Sequence, residues 1–374
     1  MRDTPPEQGE RVMNRKRTAL SVAAAGTATG VVGLVLLAAP AGADEAPPTL
    51  PEVSAEALVQ SVLTSDVPAL SGTVKVSSDL GLPVPGLPTG DEAVRVYTDG
   101  QGKARISMDQ GRGEKTVIAD GATTWLWNSA DRSVVKYDSA AEHRADRSTE
   151  EKLADPAAVS LEFITAMRAD STVSVDGTAK VADRPAYQLV LTPKPTERTL
   201  LREVRIAVDS ETRLPLRLEV LANGSAEPAL SVGFTEFATG AQDAGLFTFT
   251  PPAGAKVTDG NAEAREHQPT EQQKKDFLAT INPKVVGEGW DTVLVGTVPA
   301  DLLKAEVSGK DADGRKAAGT PLDLLKQFGK PVSGPFGTGF VITTKVGTAL
   351  VAEDGRVAVG AVPQQVLVDA LGQK

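Results

Sequence analysis

A chain of 374 residues, 41% hydrophobic and 24% charged, has enough apolar material for a sizeable core and room for two domains. Its 49 acidic and 39 basic side chains leave a net charge of -10, which argues against a general nucleic-acid binder, because phosphate contacts need a basic surface. The absence of cysteine excludes disulfides, thiolate metal sites, a cysteine nucleophile and a lipidated N-terminal cysteine.

Residues 1–43 read as an export signal. From Met13, a basic stretch (Arg15, Lys16, Arg17) precedes an apolar run and a small-residue site at Ala41-Gly42-Ala43, with cleavage after Ala43. The apolar run approaches the length of a membrane span, so an uncleaved anchor is the alternative. Either way the body of the protein is expected outside the cytoplasmic membrane, secreted or anchored. Residues 44–52, DEAPPTLPE, form a Pro-rich spacer.

The segment SAEALVQSVLTS predicts a short helix with Ser54 as N-cap and Ala57, Leu58 and Leu63 on one side. Alternating segments with turn punctuation then predict an antiparallel sheet. GTVKVSS places Val74 and Val76 on one face, while EAVRVYTDGQGKARISMD sets Val94 and Val96, then Ile106 and Met108, on either side of Asp99-Gly100. In DGATTWLWNSADRSVVKYD, Trp125 and Trp127 sit two apart on a strand and so share a face. DPAAVSLEFITAMRAD predicts a helix capped by Asp155 with Pro156 at its first position, its stripe made by Val159, Phe163, Ile164 and Met167. Strands are expected to resume through REVRIAVDSETRLPLRLEV, in which Val204, Ile206 and Val208 share a face, as do Leu216, Leu218 and Val220. ALSVGFTEF and LFTFTPPAGAKV then close the sheet.

Residues 259–285 read as a polar linker with a helix near its end, and a smaller unit is expected over 286–374. There WDTVLVGTV is a strand, TPLDLLKQFGK a helix, GFVITTKVG and TALVAEDGRVAVGAV further strands, and PQQVLVDAL a closing helix.

No catalytic set emerges. His143 and His267 lie in charged, polar stretches without a second ligand at metal spacing. There is no G-x-S-x-G elbow. DADGR at 311–315 lacks the closing glutamate of a calcium loop. SGPFGTGF at 333–340 lacks the Lys-Ser/Thr of a P-loop and reads as a tight loop before a strand. Carboxylate pairs such as Asp91-Glu92 read as turn residues. No cofactor or metal is expected, and shape remains: a long sheet has one face to bury, and if it curls, the concave face becomes either an apolar cavity or a filled core.

The ordered set DGATTWLWNSADRSVVKYD, IAVDSETRLPLRLEV and LFTFTPPAGAKV resembles the LolA-like lipoprotein carriers and the related RseB/MucB-type sigma-factor regulators, over residues 53–258. The resemblance implies an α+β fold: a curved antiparallel half-barrel sheet covered by a few helices, with a small α+β C-terminal domain added. It also implies a non-enzymatic extracytoplasmic protein, carrier or sensor, that holds lipid or lipoprotein acyl chains in an apolar cavity, with Trp125 and Trp127 on the lipid-facing surface or directly behind it. The alternative is a regulator that binds a membrane-anchored partner such as an anti-sigma factor. A hydrolase with an unrecognised site is a third reading. Candidate cavity residues are Trp125, Trp127, Ile106, Met108, Phe163, Met167, Ile206, Val208, Leu216 and Leu218, although ordinary core packing accounts for each of them individually.

Overall fold

A computed structural model describes residues 47–81, 92–109, 113–138, 155–261, 271–299, 309–310, 316–317, 325, 327 and 329–372. The export segment, His143, His267, the DADGR turn and most of the helix expected over 320–330 lie outside the described residues.

The first helix, α1 (Ala55–Leu63), begins where expected, with the Ser54 hydroxyl accepting from the Ala57 N–H. It buries Leu58, Val59 and Val62, a face rotated from the expected one; Ala57 is exposed. Six strands follow: β1 (Leu70–Ser78), β2 (Glu92–Thr98), β3 (Ala104–Asp109), β4 (Glu114–Ala119), β5 (Thr124–Asn128) and β6 (Ser133–Tyr137). Glu92 thus opens a strand rather than sitting in a turn. The second helix, α2 (Pro156–Met167), is capped by Asp155 with proline at its start, and buries Pro156, Ser160, Ile164 and Met167. The strands resume as β7 (Ser171–Val181), β8 (Arg184–Pro193), β9 (Leu201–Asp209), β10 (Pro215–Ala222) and β11 (Leu230–Thr239).

LFTFT is not the strand its alternation predicts. Asp243 accepts from the Gly245 N–H at 2.7 Å and starts a 3-10 turn over Ala244–Phe247. The chain then runs extended to β12 (Lys256–Asp259), which pairs in parallel with β6. This strap, residues 240–255, closes one end of a twelve-stranded sheet of order β12-β6-β5-β4-β3-β2-β1-β11-β10-β9-β8-β7, antiparallel throughout except for that last pairing.

The sheet is open but not flat. Four spacings of about 4.8 Å would set β7 about 19 Å from β11, yet Cα atoms of the two strands approach within 8 Å. The β7–β11 half therefore curls. A bulge opposite Thr73 and Val74 turns both Phe234 and Phe237 inward, where their rings pack edge to face at 5.0 Å. Across the curl, the Arg184 guanidinium lies 5.9 Å from the Phe237 ring. Inside it α1 and α2 close on a filled core that includes Leu58, Ile164, Leu189, Val204, Leu216 and Leu230.

The C-terminal unit is a second sheet. It follows the helix α3 (Glu271–Ile281), on which Phe277 and Leu278 are exposed. Its main strands are β13 (Lys284–Val286), β14 (Val293–Thr297), β17 (Lys330–Gly334), β18 (Gly337–Thr343), β19 (Thr348–Ala352) and β20 (Arg356–Gly360), in the order β13-β14-β20-β19-β18-β17. A short separate hairpin joins β15 (Gly309–Lys310) to β16 (Lys316–Ala317). The helix α4 (Gln364–Gly372) covers the sheet through Val366, Leu367, Ala370 and Leu371. SGPFGTGF is the turn between β17 and β18, as expected.

The two units are joined by Trp290. It leads no strand; it sits in a 3-10 turn over Gly289–Asp291 and is 2% exposed within the core of the first sheet. Its ring meets Phe163 of α2 edge to face at 5.6 Å, and its indole N–H donates to the Ser171 hydroxyl at 2.9 Å. Gly289 permits the approach: its φ is +61°, and a Cβ there would lie 2.5 Å from the Asp170 Cβ. The Thr199 hydroxyl and Leu200 N–H donate to the Ala361 carbonyl, and Lys345 pairs with Asp79.

Candidate functional site: an apolar row across β2–β6

The pairing registers fix which side chains share a face. Phe237 of β11 stands opposite Gly72 of β1, which stands opposite Val96 of β2. The same transverse row continues through Ile106, Val117, Leu126 and Val135. Five aliphatic side chains on five successive strands therefore lie side by side on the face that carries the main core. Each is partly exposed. Val96 and Ile106 pack against the core, whereas Val117, Leu126 and Val135 extend past it.

The neighbouring rows frame this strip. On one side Val94 and Met108 are buried, and the row turns polar at Lys115, Asn128 and Ser133. On the other side run Thr98, Ala104, Ala119, Thr124 and Tyr137, mostly small side chains.

Trp125 and Trp127 share a face with each other, as the spacing requires, but it is the opposite face. Trp125 stands opposite Ile118 and Trp127 opposite Thr116, one residue out of phase with the aliphatic row. The strap lies over them: Phe249 is 5.6 Å from Trp125 and 6.3 Å from Trp127, ring to ring. Ile118 and Val134 are fully buried beneath the strap, and Phe247 is 2% exposed. Lys136 caps the cluster, its ammonium 5.9 Å from the Trp125 ring. The paired indoles hold the strap to the sheet, directly behind the aliphatic row.

The other candidate cavity residues divide. Met108, Met167, Ile206, Val208, Leu216 and Leu218 are packed core, between 0% and 8% exposed, with Phe163 wedged against Trp290. These core side chains are buried among the described residues that α1 and α2 cover. Ile106 is the one candidate in the partly exposed row. The sequence reading missed Val117, Leu126 and Val135, although the alternation in EKTVIA and TWLWN already sets them opposite to Ile118 and the two tryptophans.

Two charged groups brace the fold around this surface. Asp209, fully buried, accepts two hydrogen bonds from Arg184 at 2.9 and 2.8 Å and others from the Thr212 N–H and hydroxyl. Burial pushes its carboxyl up, but Arg184 and Thr212 outweigh that and hold it below the usual aspartate value. Glu197 accepts from the backbone N–H groups of Trp290 and Asp291 at 2.9 and 3.2 Å. Burial, with Asp291 and Asp170 nearby, pushes Glu197 above the usual glutamate value despite those two donors. Among the described residues no cluster of histidine and carboxylate side chains could hold a metal, and no helix is long and apolar enough to cross a membrane.

No family model and no curated protein matches the chain in sequence. Among solved structures it is similar to MucB from Pseudomonas aeruginosa, determined in complex with MucA. That match is 15% identical, covers 84% of this chain and 94% of that one, and has a TM-score of 0.40. It is also similar to a LolA superfamily protein from Nitrosomonas europaea, 11% identical over 53% of this chain and 99% of the other, with a TM-score of 0.24. A putative outer membrane lipoprotein-sorting protein domain from Vibrio parahaemolyticus is 12% identical over 52% and 95% of the two chains, with a TM-score of 0.23.

Proposed function

We propose that this protein is a non-enzymatic extracytoplasmic lipid-binding protein that senses an acyl chain laid along Val96, Ile106, Val117, Leu126 and Val135. The observation that carries the proposal is the unbroken run of five partly exposed aliphatic side chains on one sheet face. The row spans about 19 Å across its strands. One chain of about 15 methylenes lying on it buries roughly one side, worth on the order of 6 kcal/mol at about 0.8 kcal/mol per fully buried methylene.

That magnitude separates sensing from carriage. Two chains of roughly 30 methylenes together would expose surface worth on the order of 24 kcal/mol, and a shallow row cannot shield them in transit. A sensor needs only a difference in affinity between two states.

A second reading, a regulator that grips a membrane-anchored protein, draws support from the Trp290 joint that unites the two sheets. Mass spectrometry of organic extracts from protein purified without detergent from its own host distinguishes the two. A stoichiometric acylated molecule supports the lipid reading. Repeated lipid-free preparations that also fail to take up a fluorescent fatty acid would leave the partner reading.

A further inference from the structure

The back of the first sheet carries a cleft of about 470 Å³ where the strap passes β2 and β3. Arg95, Tyr97, Arg105 and Ser107 line its floor. Arg95 stands opposite Ser107 and Tyr97 opposite Arg105, so all four share one face and the two arginines are diagonal neighbours. Diagonal Cβ atoms on adjacent strands lie about 7–8 Å apart or somewhat less, which lets two guanidinium groups converge on one small group between them.

These donors are uncommitted. Among the described residues neither the Arg95 nor the Arg105 side chain has an ion pair or hydrogen bond, and the Tyr97 hydroxyl has none. That is unexpected in a chain with ten more acidic than basic side chains, because carboxylates stand at the rim. Each of those carboxylates has a local donor of its own: Glu114 accepts from the Thr116 hydroxyl at 2.8 Å, and Asp243 from the Gly245 N–H at 2.7 Å. The floor thus offers two planar forks and a phenol, with the carboxylates of Glu114 and Asp243 at the rim rather than paired with the forks.

We propose that this cleft binds a phosphate group, held between Arg95 and Arg105 with the Tyr97 hydroxyl as a third donor. A guanidinium fork matches two phosphate oxygens at once, and a tetrahedral oxyanion has enough oxygens for both forks and the phenol. A carboxylate, with two oxygens, would occupy only one fork fully. The group is either free inorganic phosphate or a phosphate monoester. The site lies on the opposite face from the aliphatic row, so it goes beyond the acyl-chain proposal and stands or falls apart from it.

The test is calorimetric titration of the intact protein with inorganic phosphate and, separately, with glycerol 3-phosphate, at fixed ionic strength. Saturable binding is expected, weakened at least about tenfold, or about 1.4 kcal/mol, in Arg95→Gln and in Arg105→Gln. Arg105→Lys, which keeps the charge and loses the fork, should also weaken it. Tighter binding of glycerol 3-phosphate assigns an ester, and equal or tighter binding of the inorganic ion assigns the free anion. Arg95 is exposed and Arg105 partly so, and circular dichroism verifies that the variants fold. No saturable binding of either probe, or binding unchanged in both glutamine variants, overturns the proposal. Titration of a fluorescent fatty acid should be unaffected by the same substitutions, which separates failure here from failure of the acyl-chain site.

Discussion

Replacing Trp290 by alanine should unlock the two sheets from each other. The side chain is 2% exposed and belongs to the core of the first sheet although its backbone leads into the second. Truncating a buried aromatic to alanine costs about 3–5 kcal/mol, a range that includes its ring contacts. The lost bond to Ser171 adds on the order of 1 kcal/mol; Ser171 keeps its donation to the Met167 carbonyl, so no buried donor is orphaned. The ties that remain are weaker. The Arg198–Asp369 pair is largely exposed, a class worth about 0–1 kcal/mol, and the two bonds to the Ala361 carbonyl contribute about 1 kcal/mol each. The Glu197 bonds to the Trp290 and Asp291 N–H groups, the Lys345–Asp79 pair and buried Val346 also remain, so a loss of about 4–6 kcal/mol removes the largest single tie. In calorimetry or urea unfolding followed by far-ultraviolet circular dichroism, the variant should be destabilised by several kcal/mol, with a broadened or split transition. A single transition shifted by less than about 1 kcal/mol would refute Trp290 as the joint.

Other outcomes follow from the charges and the strap. Asp209→Asn breaks a buried pair and should cost about 3–5 kcal/mol in urea unfolding. Because Asp209 has a lowered pKa, its contribution is present above the unfolded-state carboxylate value and is lost as pH falls through the folded one, so the variant should show a flatter stability profile in acid. Glu197 has the opposite sign: its pKa is raised, so its ionised form costs stability at neutral pH, and the cost fades as pH falls through its folded value. Glu197→Gln, which can still accept both N–H bonds, should leave Tm at pH 7 unchanged or higher, whereas Glu197→Ala should lower it; a lower Tm for both would refute this. Phe249→Ala should free the strap, measured as faster hydrogen exchange over residues 244–259 with the β7–β11 strands unchanged.

Local chemistry made much of this fold legible. Ser54, and Asp155 with Pro156, announce their helices because caps act within one turn, and strict alternation announces the strands. Three features depend on distant pairing. The alternation in TWLWN says that Leu126 and the tryptophans point apart, but only the strap decides what each face meets. LFTFT alternates like a strand, yet Asp243 turns it into a strap that reaches β6 in parallel. Trp290, in GEGWD, carries no periodicity, and nothing nearby in sequence reveals that its partners are Phe163 and Ser171. The candidate site was visible only through Ile106, since large residues such as Ile206 and Leu216 fit a cavity lining and a filled core equally well until α1 and α2 are in place.

The acyl-chain reading is tested most directly at Leu126, in the middle of the part of the row that extends past the core. A dansyl-labelled fatty acid titrated into the intact protein should bind saturably and receive energy from Trp125 and Trp127, which lie directly behind the row. Leu126→Glu places a charge against the chain without entering the packed core, so binding should weaken at least about tenfold while circular dichroism stays native. Binding and energy transfer that persist unchanged in Leu126→Glu would contradict the proposal that the row holds the chain.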